Sequence, residues 1–119
     1  SAVGAVAWID DERLMDAVTA LSGSGPAYVF HLTECMTKAG IAAGLSEDLA
    51  AALARATVAG AGELMRQSGE TAATLRRNVT SPGGTTEAAL NVLMGGDAME
   101  KLMTEAIQAA TMRSRELAG

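Results

Sequence analysis

The chain has 119 residues, about one domain, and a formal net charge of −5 with a pI near 4.7, which argues against nucleic acid as a partner. Hydrophobic residues make up 49% but aromatic residues only 3%, so the apolar surface is mostly Ala, Leu, Val and Met. The small side chains among them bury little area each, so helices rich in them depend on close backbone approach and favour an assembly in which chains share a core. Cys35 is the only cysteine, which excludes an intrachain disulfide framework and fits a reducing, cytoplasmic setting. The longest weakly polar run, Leu49 to Gly62, is broken by Arg55 and Thr57 and falls short of the roughly 20 residues that span a membrane. No basic N-terminal leader is present, and the expectation is a soluble protein.

Ala2 to Ile9 is a short apolar segment with the look of a strand, without a partner strand downstream. A lone strand cannot satisfy its backbone, so it pairs either with another chain or with a segment outside this sequence, a hint of a larger architecture; residues 1–10 are set apart from residues 11–119, a helical domain. Asp10-Asp11-Glu12 places acidic residues where a helix start favours them, and Leu14, Met15, Val18 and Leu21 continue at helical spacing to Ser22-Gly23-Ser24-Gly25. Pro26 suits the first helical position of the next element, which is expected to run through Tyr28, Val29, Phe30, Leu32, Met36 and Ala39 and stop near Gly44. Gly40 inside it marks close packing, an early end, or a tolerated glycine costing about 1 kcal/mol. His31 and Cys35 share a face; lacking further ligands nearby they read as a packed imidazole and a buried thiol rather than a metal site.

Ser46-Glu47-Asp48 opens a third helix with a cap and an acidic first turn. From Leu49 to Gly62 it is apolar on almost every side, and Ala52, Ala56 and Gly60 form a ladder of small side chains. A helix with so little polar face is expected to be surrounded, which in so short a chain implies a partner subunit. Thr71 to Asn78 reads as a short helix ending in Arg76 and Arg77, either a solvated pair or a lure for an anionic ligand.

Val79-Thr80-Ser81-Pro82-Gly83-Gly84-Thr85-Thr86 follows, a rigid glycine-rich turn that delivers two threonines onto the first turn of a helix. The start of that helix is either an ordinary entry or a seat for a small carboxylate, because its first N–H groups lack intrahelical acceptors. Gly95-Gly96 breaks the helix, and Asp97-Ala98-Met99-Glu100 has the pattern of a reciprocal cap opening a last one. In that last helix Met99, Leu102, Met103, Ala106, Ile107 and Ala110 recur at helical spacing, and its methionines read as packing groups. There is no Walker-type phosphate loop, dinucleotide fingerprint or zinc spacing, and no metal is expected.

The segments Asp16 to Tyr28 (Asp-Ala-Val-Thr-Ala-Leu-Ser-Gly-Ser-Gly-Pro-Ala-Tyr) and Val79 to Thr86, in this order and at this separation, resemble pyrroline-5-carboxylate reductase. The likeness runs from about Val3 to Leu117 and covers only that family's C-terminal dimerisation domain. It implies an all-α fold of about five to six helices, interlocked with a second subunit, as a homodimer that can assemble into a decamer. It implies a missing nucleotide-binding domain, whose last edge is the segment at residues 1–10, and a cofactor, NADPH or NADH, that reduces 1-pyrroline-5-carboxylate to L-proline. By the same likeness, N–H groups around Gly84, Thr85 and Thr86 hold the substrate carboxylate, and the Thr86 hydroxyl meets the ring nitrogen. Val79 and Ser81 lie against the cofactor, and Ser22 to Pro26 shape the subunit interface and site wall. Glu87, next to the seat, would compete with a bound carboxylate unless it points away. The alternative function is a non-catalytic helical oligomerisation or carboxylate-binding module that keeps this fold.

Overall fold

The computed structural model describes residues 12–119, and within them every regular element is helical. The expected strand at Ala2 to Ile9 lies outside the described residues, as do Asp10 and Asp11 of the expected first helix start. The elements are α1 (Glu12–Val18), a π-helical turn (Thr19–Gly23), α2 (Gly25–Ala42), α3 (Glu47–Gln67), α4 (Ala72–Asn78), α5 (Thr85–Met94), a 3₁₀ turn (Gly95–Asp97) and α6 (Ala98–Ala118). The all-α class is the expected one. Two compact units divide the chain: one joins the residues up to Tyr28 with Leu93–Gly119, and the other is Val29–Val92.

In the first unit α6 packs on α1 and on the π turn. The helix of α1 does not run regularly to Ser22 as its spacing predicts. It widens at Thr19, and the Ser24 N–H reaches the Thr19 carbonyl five residues back (2.9 Å). Ala20, inside the widened turn, is fully buried, and the Tyr28 hydroxyl donates to its carbonyl at 2.5 Å. An inserted residue of this kind leaves a carbonyl without its regular partner, and the phenol supplies a replacement. Ser114 donates to Asp16 (2.7 Å), tying α6 to α1.

The expected reciprocal cap at Asp97 does not form. Gly96 (φ 61°) and Asp97 (φ 56°) both take left-handed backbone, and the Asp97 side chain makes no capping hydrogen bond. A capping side chain reaches the N–H groups ahead of it only from extended backbone, and the sharp entry through two left-handed residues removes that geometry.

In the second unit α2 ends as its glycine predicts. Gly44 takes φ 110°, its N–H bonds the Ile41 carbonyl (3.0 Å), and the Leu45 N–H bonds that of Gly40 (3.1 Å). This Schellman closure satisfies carbonyls that the last turn leaves open. Ser46 then caps α3 by accepting from the Leu49 N–H (3.2 Å). Gly40 sits where a β-carbon would lie 3.3 Å from the Ala50 β-carbon, so its place in the last turn of α2 is explained by close packing on α3.

Within one chain much of α3 is uncovered, where the expectation has a partner subunit surround it. Ala50 and Ala54 are its buried residues, while Leu53 stays 49% exposed and Ala52, Ala56 and Gly60 all face outward. Facing it on α2, Phe30 is 68% exposed, and Val29, Phe30, Ala51, Ala52 and Val58 line an open apolar groove between the two helices. One chain has too little mass to enclose a helix that is apolar on most sides, so those faces are left open. His31 and Cys35 are likewise exposed rather than packed: the imidazole lies 3.5 Å from the thiol and 3.2 Å from the Glu34 carboxylate. Among the described residues no group of three or more His, Cys, Asp or Glu is arranged to hold a metal. No described helix is long and apolar enough to cross a membrane.

Candidate functional site

The loop between α4 and α5 belongs wholly to the second unit, and its path is dictated at both ends. Thr71 caps the start of α4 by accepting from the Thr74 N–H (3.1 Å). At the far end the Val79 N–H bonds the Arg76 carbonyl (3.3 Å) and the Thr80 N–H that of Arg77 (3.0 Å). The Thr80 hydroxyl adds a second bond to the Arg76 carbonyl (2.6 Å). The orphan carbonyls of the helix end are therefore closed by the loop itself, which holds Val79 and Thr80 against α4.

Ser81 to Gly84 form one tight turn. The Gly84 N–H donates to the Ser81 carbonyl at 3.0 Å, and Gly83 has φ 73°. Proline at the second position and a left-handed glycine at the third are the requirements of a type II turn, and this sequence meets both. A β-carbon on Gly84 would fall 3.2 Å from the Ser81 carbonyl oxygen, so the two glycines serve different needs: Gly83 conformation, Gly84 space.

Gly84 also precedes α5, and its carbonyl takes the first helical bond, from the Ala88 N–H (3.2 Å). Of the three N–H groups expected to hold a carboxylate, that of Gly84 is already donated within the turn. Those of Thr85 and Thr86, at the first two positions of α5, have no acceptor inside the helix and sit at the positive end of its dipole. Thr86 is half-buried, while Thr85, Ser81 and Val79 are exposed, Val79 to 65%. The turn thus brings Ser81, Gly84, Thr85 and Thr86 together within six residues. Val79 sits at the loop's other end, and Ser22 to Pro26 belong to the other unit up to Tyr28.

Glu87 is the part that sequence reasoning left open. Its carboxylate neither points away nor lies over the Thr85 and Thr86 N–H groups; it reaches back to accept from the Gly83 N–H (Oε1, 3.1 Å). The signal was present in the spacing, since an acidic residue at the third helical position reaches back toward the residues before the helix in a capping box. Arg76 is half-buried and Arg77 exposed at the end of α4, and the described structure gives neither a role at the loop beyond their carbonyls.

The site can bind an anion through two backbone donors, orient a polar atom through the Thr86 hydroxyl, and offer Val79 as an apolar surface. It holds no strongly acidic or nucleophilic group set for covalent chemistry, which leaves positioning as its chemical capacity.

A family model for pyrroline-5-carboxylate reductase dimerisation matches residues 12–117. The pyrroline-5-carboxylate reductase of Pseudomonas aeruginosa is 50% identical over 118 residues, covering 99% of this chain and 43% of that protein. That of Arabidopsis thaliana is 49% identical over 107 residues, covering 90% and 38%. Among solved structures, a pyrroline-5-carboxylate reductase from Coxiella burnetii superposes with a TM-score of 0.87 at 40% identity, over 92% of this chain and 40% of that one. Pyrroline carboxylate reductase from Plasmodium falciparum with NADP bound gives 0.83 at 34% identity, over 92% and 41%. The chain spans about two-fifths of the length of these relatives. With the match running through nearly all of it, the chain belongs to the pyrroline-5-carboxylate reductase dimerisation family.

Proposed function

We propose that this chain supplies the substrate shelf and the dimer core of a cytoplasmic, NAD(P)H-dependent reductase that converts 1-pyrroline-5-carboxylate to L-proline. The observation that carries the proposal is the pair of unpaired N–H groups at Thr85 and Thr86, presented by the Ser81–Gly84 turn in a chain of this family. They take the substrate carboxylate, with Gly84 allowing close approach because it has no side chain to stand in the way. The Thr86 hydroxyl, half-buried one position further on, bonds the ring nitrogen and orients the imine. A cyclic imine accepts hydride once its nitrogen is protonated or hydrogen-bonded, so placing the ring and excluding water are the main tasks left to the protein.

The loop fits a nicotinamide cofactor in two respects: Val79 offers an exposed apolar surface for a flat ring, and Ser81 an exposed hydroxyl for a ribose. The cofactor supplies the hydride when bound. Its main binding domain is proposed to be a separate nucleotide-binding domain, with residues 1–10 as that domain's last edge and residues 11–119 as the helical domain. Homodimerisation follows from the open apolar faces of α2 and α3, which a second copy would enclose by interlocking with them, and dimers can build a decamer.

A chimaera tests this reading: the chain replaces the matching segment of the Pseudomonas aeruginosa relative. The chimaera is expected to oxidise NAD(P)H with 1-pyrroline-5-carboxylate, the 119-residue chain alone to show no turnover, and Thr86→Ala to cut kcat/KM by roughly 100-fold (a lost orienting bond and a disturbed seat). An inactive but folded, dimeric chimaera would contradict it, as would turnover by the chain alone.

A further inference from the structure

The N–H groups around the turn are allotted unequally. Gly84 gives its own to the Ser81 carbonyl (3.0 Å), and Gly83 gives its own to the Glu87 carboxylate (3.1 Å). Glu87 is the third residue of α5, where the helix dipole favours a negative charge with or without a specific partner. It nevertheless reaches back four residues, past Gly84, to the turn residue with left-handed backbone.

The consequence is geometric. One bond ties the end of the turn to its start, and the other ties its apex to the helix. The peptide between Pro82 and Gly83 cannot flip without breaking the Glu87 bond, because flipping turns the Gly83 N–H away. Such a flip is the ordinary route between type I and type II turns, and it takes the third residue out of the left-handed region. The Glu87 bond also closes a ring from the turn apex through Gly84, Thr85 and Thr86 back to the helix, which restrains the two N–H groups inside it.

We propose that Glu87 is a positioning residue for the carboxylate seat, acting through the Gly83 N–H and not by touching the ligand. The inference rests on the reading of Thr85 and Thr86 as that seat. It separates the side chain's acceptor oxygen from its charge. Glutamine keeps an oxygen at the same reach and removes the charge that a bound carboxylate would feel; alanine removes both.

The test uses the active chimaera with Glu87→Ala, Glu87→Gln and Thr86→Ala, read by steady-state kinetics and by amide hydrogen exchange at Gly83. Glu87→Ala is expected to raise KM for 1-pyrroline-5-carboxylate roughly ten-fold, the effect of losing one charge-assisted hydrogen bond from a preorganised loop, with kcat within about two-fold. KM for the nicotinamide cofactor stays within about two-fold, and exchange at Gly83 accelerates in step with the loss of its acceptor. Glu87→Gln is expected to restore both the KM and the slow exchange. An unchanged KM in Glu87→Ala overturns the inference, and so does a Gln variant as impaired as the Ala one, which would assign the effect to charge. If Thr86→Ala is damaging while Glu87→Ala is harmless, the inference fails and the seat stands. If Thr86→Ala, which removes the hydroxyl proposed to meet the ring nitrogen and keeps both N–H groups, is itself harmless, the placing of the substrate at the start of α5 fails and the inference falls with it.

Discussion

Replacing Gly83 by alanine isolates the backbone requirement of the loop. A β-carbon at this position would meet nothing within 4 Å, so no steric clash enters, and the cost is conformational alone. Left-handed backbone costs an L-residue about 1–2 kcal/mol, and the stiffer unfolded chain returns about 0.4–1 kcal/mol of that. The net loss is about 1 kcal/mol. Unfolding entropy of about 2.1 cal/mol/K per residue over a chain of this length turns that into a fall in Tm of roughly 4 °C. Asparagine tolerates left-handed backbone better than alanine, so Gly83→Asn should fall by half as much or less. Circular-dichroism melts at one fixed protein concentration measure both, because a dimer's Tm depends on concentration. Gly84→Ala differs in kind: its β-carbon would press on the Ser81 carbonyl at 3.2 Å and force the turn to shift. A Gly83→Ala melt equal to the parent's, or an Asn variant as unstable as the Ala one, would refute the assignment of the cost to φ.

Two further outcomes are expected. Gly60→Leu places a large side chain where one chain offers open space, so an isolated helix would gain about 1 kcal/mol or remain neutral; in a dimer packed through the Ala52, Ala56 and Gly60 ladder it should dissociate the subunits, and light scattering that still reports a dimer would remove the ladder from the interface. Hydrogen bonds from Arg66, and then Gln67, hold the exposed Glu63 carboxyl below its ordinary range. A lowered folded-state pKa stabilises the fold above the unfolded value and loses that contribution as pH falls through the folded one. Glu63→Gln should therefore flatten the acid limb of the stability curve slightly, less so in high salt, and an acid limb identical to the parent's would count against the pair.

Much of this fold is legible in the residues because its boundaries are local. Gly44, Ser46 and the Ser81-Pro82-Gly83-Gly84 turn act through their own backbone, and each closes a helix or turn where its spacing places it. What was not legible depends on contacts across the chain or between chains. The widened turn at Thr19–Gly23 has no compositional mark; it is held by the Tyr28 hydroxyl, eight residues from the carbonyl it bonds. Asp97 carries a capping sequence, yet the two left-handed residues at the entry turn its side chain from the task. His31 and Cys35 read as packed because no further metal ligands stand near them in sequence, but both are exposed on a face of α2 that one chain does not cover. For the candidate site, the turn and the helix start could be read directly. The direction of Glu87 was only half legible: its position is that of a capping-box acid, but a carboxylate there can serve the free N–H groups of its own helix or the turn before it.

The central claim is that the start of α5 seats a carboxylate. Titrating L-proline into the isotopically labelled 119-residue chain and following its amide resonances tests this most directly. Saturable shifts centred on the Thr85 and Thr86 amides are the predicted result, with weaker affinity in Thr86→Ala, which loses the hydroxyl that meets the ring nitrogen but keeps both N–H groups. A folded dimer whose Thr85 and Thr86 amides do not respond to proline, or whose responses centre elsewhere, would contradict the account.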